Sequence, residues 1–89
     1  MYIKIKSKEQ MKKDKVDWNH ETNSPYNWNP YGEMDYLYNR IVKVTKKYKY
    51  GFSIQNEKRR DREWLLDNNQ VQRILTDEEM KRNYPEYLL

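Results

Sequence analysis

The stretch Ile41-Val42-Lys43-Val44-Thr45-Lys46-Lys47, followed after Tyr48-Lys49 by Tyr50-Gly51-Phe52-Ser53-Ile54-Gln55, decides how this chain folds. Both halves alternate β-branched or aromatic residues with polar ones at a period of two, the spacing of a strand with one face buried. The short Lys-Tyr-Lys link between them predicts that they pair as a hairpin. Downstream, the charged run Glu57 to Arg62 reads as a second turn. A third strand then begins at Trp64 and Leu66, Asp67-Asn68-Asn69 makes a tight turn, and Val71 to Leu75 forms a fourth strand.

Outward from this centre, each end of the chain carries a strand or helix signal of its own. At the N-terminus Tyr2 or Ile3, and Ile5, alternate with Lys4 and Lys6, which predicts another half-buried strand. Ser7-Lys8-Glu9-Gln10 has the form of a capping box, so a short helix is expected from about Lys8 to Lys13 with Met11 inward. Near the C-terminus Thr76-Asp77-Glu78-Glu79 is a second capping box. Its three acids suit the start of a helix dipole, and Lys81 and Arg82 suit its end, near Asn83. Tyr84-Pro85 stops that helix, and Tyr87, Leu88 and Leu89 are expected to fold back over the core edge.

Between the first helix and the central hairpin the pattern is lost. Residues 17–33 mix Asn, Pro, Ser and Gly with Trp18, Tyr26, Trp28 and Tyr31, an irregular loop longer than compact domains usually tolerate without a functional reason. Asn29-Pro30 forbids helix before it, and Pro30 is suited to open a helical turn running through Met34 and Leu37. Together these readings predict an α+β fold, mainly β: a small, bent antiparallel sheet or barrel of about 4–5 strands, with a short helix near each terminus.

Composition agrees with one small domain spanning residues 1–89. Only 36% of the residues are hydrophobic and 36% are charged, so the core is thin and leans on nine Tyr, three Trp and one Phe. The absence of cysteine excludes a disulfide framework, a thiolate nucleophile and a zinc finger, and His20 alone cannot make a His-pair metal site. No apolar run has the length of a signal peptide or a membrane span, so a cytoplasmic, non-membrane protein is expected. The lack of alanine and the abundance of Lys, Asn, Tyr and Ile suggest an AT-rich genome, such as those of many Gram-positive bacteria and their phages.

The net charge of +4 conceals four blocks. Residues 1–16 sum to +4, residues 17–40 to −3, residues 41–62 to +6 and residues 63–89 to −3. In the most basic block Lys43, Lys46, Lys47 and Lys49 flank Tyr48 and Tyr50, and Lys58, Arg59, Arg60 and Arg62 lie on the next turn. A meander that brought these onto adjacent rims would attract phosphates, with tyrosines free to stack on bases. The competing reading has lysines guarding solvent faces and edge strands while the tyrosines pad the thin core. The aromatic loop has two readings as well. Trp18, Tyr26, Trp28 and Tyr31 either cover the open end of the barrel or form a site for a partner or ligand. Trp64 reads as core.

The chain from Met1 to Gln10, together with Met34 to Val44, Tyr50-Gly51-Phe52-Ser53-Ile54, Trp64 and Asp67, resembles small uncharacterised bacteriophage accessory proteins. The overall pattern resembles a Src-homology-type small β-barrel. The phage resemblance covers residues 1–10 and about 34–75. It departs in having Arg40 where such proteins often have a turn glycine, and in the basic insertion Lys58 to Arg62. It implies a host-takeover or anti-defence factor and carries over no functional residue.

No paired carboxylates, phosphate loop, nucleophile elbow or metal cluster is present, so no enzyme activity and no cofactor are expected. The expected function is binding and modulating a host component, most naturally a host protein. The alternatives are a nucleic-acid-binding barrel and a sponge for an anionic nucleotide signal. Exposed strand edges also make a homodimer conceivable.

Overall fold

A computed structural model of the chain describes residues 1–16, 18, 34–57 and 59–88. Five strands form one antiparallel sheet: β1 (Tyr2–Ile5), β2 (Ile41–Lys47), β3 (Gly51–Gln55), β4 (Glu63–Asp67) and β5 (Val71–Leu75), in the order β4-β3-β2-β1-β5. Helix α1 (Lys8–Lys13) follows β1, and α2 (Asp77–Asn83) follows β5. Single 3-10 turns lie at Asp35–Leu37, Asn68–Gln70 and Pro85–Leu88. The expected α+β architecture is therefore the observed one. No helix among the described residues is long and apolar enough to cross a membrane.

The sheet bends at β2, which serves two partners along its length. Its first half pairs with β1, Ile3 standing opposite Val42, and its second half pairs with β3, Val44 standing opposite Ile54. The register shifts between Val44 and Lys46, and such an irregularity increases local twist and turns the strand. β3 continues the meander to β4, with Phe52 opposite Leu66. β5 bypasses β4 and closes against β1 at the other edge.

Two apolar clusters result. The main one lies within the bend and joins Ile3, Ile5, Met11, Val16, Trp18, Met34, Leu37, Phe52, Ile54, Leu66 and Val71. Fully burying side chains such as Ile3, Ile5, Ile54 and Leu66 contributes roughly 1.5–3 kcal/mol each. The smaller one, Ile41, Leu75 and Met80 with Tyr2 and Tyr84 against it, is formed where α2 packs on the β1–β5 side of the sheet. Val71 and Leu75 are four residues apart and would share a face in a regular strand. The register shift between Lys4 and Ile5 sends Val71 to the first cluster and Leu75 to the second.

The caps largely follow the sequence. Thr76 Oγ1 accepts from the Glu79 N–H at 3.1 Å and Glu79 reaches back, completing the second box. At α1 the box is only half made. Ser7 Oγ accepts from the Gln10 N–H, but the Gln10 side chain donates to Asp14, whose carboxylate also pairs with Lys6 at 2.9 Å. The helix then ends with Lys15 at φ 58°, the Val16 N–H reaching back to the Met11 carbonyl and the Lys15 N–H to that of Lys12. That αL cap aims Val16 at Met11, and both belong to the main core. The C-terminal fold-back is only partial. Tyr84 covers the second cluster and Tyr87 accepts from the Tyr2 hydroxyl through its carbonyl, yet Tyr87 and Leu88 stay largely exposed. Leu89 lies outside the described residues.

Candidate binding surface

The β2–β3 hairpin tip projects Tyr48 and Tyr50, which are 41% and 72% exposed. Neither pads the core, as one reading of the sequence had it. A lysine sits over each ring, Lys46 Nζ at 5.1 Å from the Tyr48 centroid and Lys49 Nζ at 5.2 Å from that of Tyr50. A third, Lys47, stands 4.5 Å from the Phe52 centroid and donates to the Tyr48 carbonyl. Exposed cation–π pairs of this kind contribute about 0.5–1 kcal/mol and hold long side chains over flat ones.

Local chemistry fixes the tip. The Tyr48 N–H closes the turn on the Gly51 carbonyl at 2.9 Å. Gly51 has to lack a side chain, because a Cβ there would lie 2.1 Å from the Leu66 carbonyl oxygen on the neighbouring strand. From below, the β4–β5 turn braces the tip. The Asn68 N–H donates to the Tyr50 carbonyl at 3.0 Å and Asn68 Nδ2 to the Lys49 carbonyl at 3.2 Å. That turn is itself closed by Asp67 and Gln70, whose Oε1 accepts from the Asp67 N–H at 2.9 Å.

Beside the tip a shallow groove runs toward β5, lined by Lys47, Phe52, Asn68, Val71, Arg73 and Ile74. An adjoining hollow is lined by Tyr50, Asp67, Asn68 and Asn69, so Asn68 belongs to both. Ile74 is 47% exposed. Arg73 pairs with Glu79 at 2.5 Å, and its guanidinium holds the Glu79 carboxyl below the usual carboxylate range. Glu63 accepts from the Ser53 hydroxyl at 2.5 Å. That bond is the main cause of its lowered pKa, with Thr45 and the charge of Lys46 adding to it.

The structure separates what the sequence grouped. Arg59, Arg60 and Arg62 are exposed on the β3–β4 turn, at the opposite end of β3 from Lys46, Lys47, Tyr48 and Lys49. Four residue steps of strand alone put about 13 Å between the two ends, so the basic groups do not share adjacent rims. The physical reason is that successive turns of a meander alternate between its two ends. Lys58 lies outside the described residues. Lys43 is exposed opposite Tyr2 on the stretch of β2 paired with β1, away from the tip. Lys46 and Lys47 lie on the half of β2 that pairs with β3 alone, beyond the last residue paired with β1, so the reading of these lysines as guards of a solvent face and strand edge still stands beside the binding one.

Of the aromatic loop, Trp18 is described and is a core residue. It is 4% exposed, with its ring 4.9 Å from that of Tyr38. It therefore packs and presents no face to a partner, which corrects its reading as a contact residue. Tyr26, Trp28 and Tyr31 lie outside the described residues. Trp64 is half-buried at the core margin, where its Nε1 donates to the Tyr36 hydroxyl at 2.9 Å.

Sequence reasoning missed Asn68, Arg73 and Ile74 of the groove and Asn69 of the hollow. Asp67-Asn68-Asn69 was legible as a turn, but its position under the hairpin tip depends on β4 pairing with β3. No protein-family model, curated protein or solved structure matches this chain.

Proposed function

We propose that the protein is a non-enzymatic binding protein of the bacteriophage accessory class that occupies an anionic surface of a host component, as host-takeover and anti-defence factors do. The observation that carries this reading is the braced hairpin tip, where two exposed tyrosines stand among Lys46, Lys47 and Lys49 beside a shallow groove. The strand order, with one 3-10 turn joining the last two strands, is in keeping with a Src-homology-type small barrel. Such a protein acts by occlusion, so its effect scales with abundance and affinity. Trp18 packs in the core and Tyr26, Trp28 and Tyr31 lie outside the described residues, so the reading is carried by the hairpin.

The test is affinity capture from a Gram-positive bacterial lysate at low and high salt, with and without nuclease, using the native chain beside a Lys46→Gln/Lys47→Gln/Lys49→Gln variant. A component retained by the native chain and lost by the variant supports the reading. Identical captures by the two proteins would overturn it.

A further inference from the structure

We infer that the hairpin tip and its groove bind single-stranded nucleic acid, with Tyr48 and Tyr50 as stacking faces and Lys46, Lys47 and Lys49 on the phosphates. This rests on the reading of the tip as the binding surface and names the chemistry of the partner. Any anion would be attracted by three lysines within four residues, so charge alone does not choose among partners. The tyrosines do. A ring that stays exposed with an ammonium over it offers a flat apolar face beside a cation, and a nucleotide pairs a flat base with a phosphate. An acidic peptide has the charge but no matching flat group at each position.

The groove extends the same surface. Beyond Tyr50, the hollow at Asn68 and Asn69 continues the surface, with the Asn68 amide nitrogen held by the Lys49 carbonyl, and Lys47 and the Glu79-paired Arg73 stand along the groove toward Ile74. Asp67 is the acid in the hollow, and its carboxylate serves the N-terminal end of the 3-10 turn. The two hydrogen bonds from Asn68 hold the tip before any ligand arrives, which lowers the ordering cost of binding. A duplex fits less well. Its phosphates run along an extended track, whereas the remaining arginines of the basic block lie at the far end of β3.

The experiment is fluorescence anisotropy with a labelled ten-nucleotide oligothymidylate, in competition with a duplex of equal length, thymidine monophosphate and polyglutamate of matched charge. Tight binding of the oligothymidylate, weakly displaced by the other three, is expected. Three phosphate contacts should weaken it roughly 20-fold between 50 and 200 mM salt. Tyr48→Ala and Tyr50→Ala should each weaken it by roughly 5- to 150-fold, while Tyr50→Phe keeps the stacking face and the affinity.

Polyglutamate competing as well as the oligonucleotide, with the tyrosine variants unchanged, would overturn this inference and leave the anionic-surface reading standing. Thymidine monophosphate competing at full strength would overturn it in favour of a single-nucleotide sponge. Failure of every anion to bind would overturn this inference, while the anionic-surface reading would stand or fall on the capture experiment. Circular dichroism melting of each variant separates lost contact from lost fold, and both tyrosines are exposed enough to be replaced without unfolding the chain.

Discussion

The two ends of β3 carry similar charge and differ in almost everything else. At one end Lys46, Lys47 and Lys49 surround two exposed tyrosines on a hairpin braced by Asn68, with a groove alongside. At the other, the arginine-rich turn is tied up in its own backbone. Asn56 Oδ1 accepts from the Arg59 N–H at 3.1 Å and Gln55 Nε2 donates to the Arg60 carbonyl at 2.8 Å. Nearby, Arg40 pairs with Glu57 at 3.0 Å and lies over the Tyr36 ring. Positive charge is common to both ends, whereas the exposed rings, the neighbouring groove and the bracing turn belong to the tip on which the proposed binding rests.

The strongest way to break this contrast is at Gly51. Replacing it with Ala forces a methyl group against the Leu66 carbonyl, and the strands must part to admit it. We expect a loss of about 3 kcal/mol in urea unfolding, because overpacking against backbone has no flexible side chain to yield. A stable Gly51→Ala protein would mean that the tip is not held as described. The matching change at the other end is milder. Asn56→Ala removes a buried acceptor from the Arg59 N–H and should cost about 1 kcal/mol, without altering oligothymidylate binding at the tip.

Smaller stability effects sharpen the comparison further. Tyr48→Ala and Tyr50→Ala at the tip, and an Arg59→Gln/Arg60→Gln/Arg62→Gln variant at the turn, should each change folding stability by no more than about 0.5 kcal/mol. Their binding should diverge, with the tip variants losing affinity and the arginine variant staying within about threefold of the native chain on the contribution of distant charges. An arginine variant that lost more affinity than the tyrosine variants would reverse the assignment of the two ends.

The finest test concerns Glu63, which faces Ser53 across the β3–β4 pair and feels Lys46. Its folded pKa lies below the ordinary value of 4.5. The contribution to stability is thus present above that value and is lost as pH falls through the depressed midpoint. Ser53→Ala removes the main cause, so the Glu63 midpoint measured by NMR titration should rise. The stability gap between the two proteins should narrow as the solution is acidified. An unmoved midpoint would show that the hydroxyl is not what holds the carboxylate charged.

Much of the architecture was readable because it depends on near neighbours. The strand from Ile41 to Lys47, the helix from Lys8 to Lys13 and the Thr76 capping box all rest on periodicity or on contacts three to four residues apart. Gln10 shows where that logic stops. Its amide had two acceptable partners, and Asp14, already drawn in by Lys6, took it. Trp18 shows the same limit on a larger scale. The sequence around it left open whether it covers the barrel or faces a partner, and contact with Tyr38 and the main core makes it packing.

What the sequence by itself determined is the set of strands and helices, their caps and the blocks of charge, since each is encoded within a few residues of chain. Only the tertiary structure decided which of them meet. It paired β5 with β1, divided Val71 and Leu75 between two cores and set the Asn68 turn beneath the hairpin. It also sent two basic segments that are close in sequence to opposite ends of the sheet. The reason is geometric: a strand reverses the chain at every turn, so nearness along the sequence and nearness in space part company after a single strand.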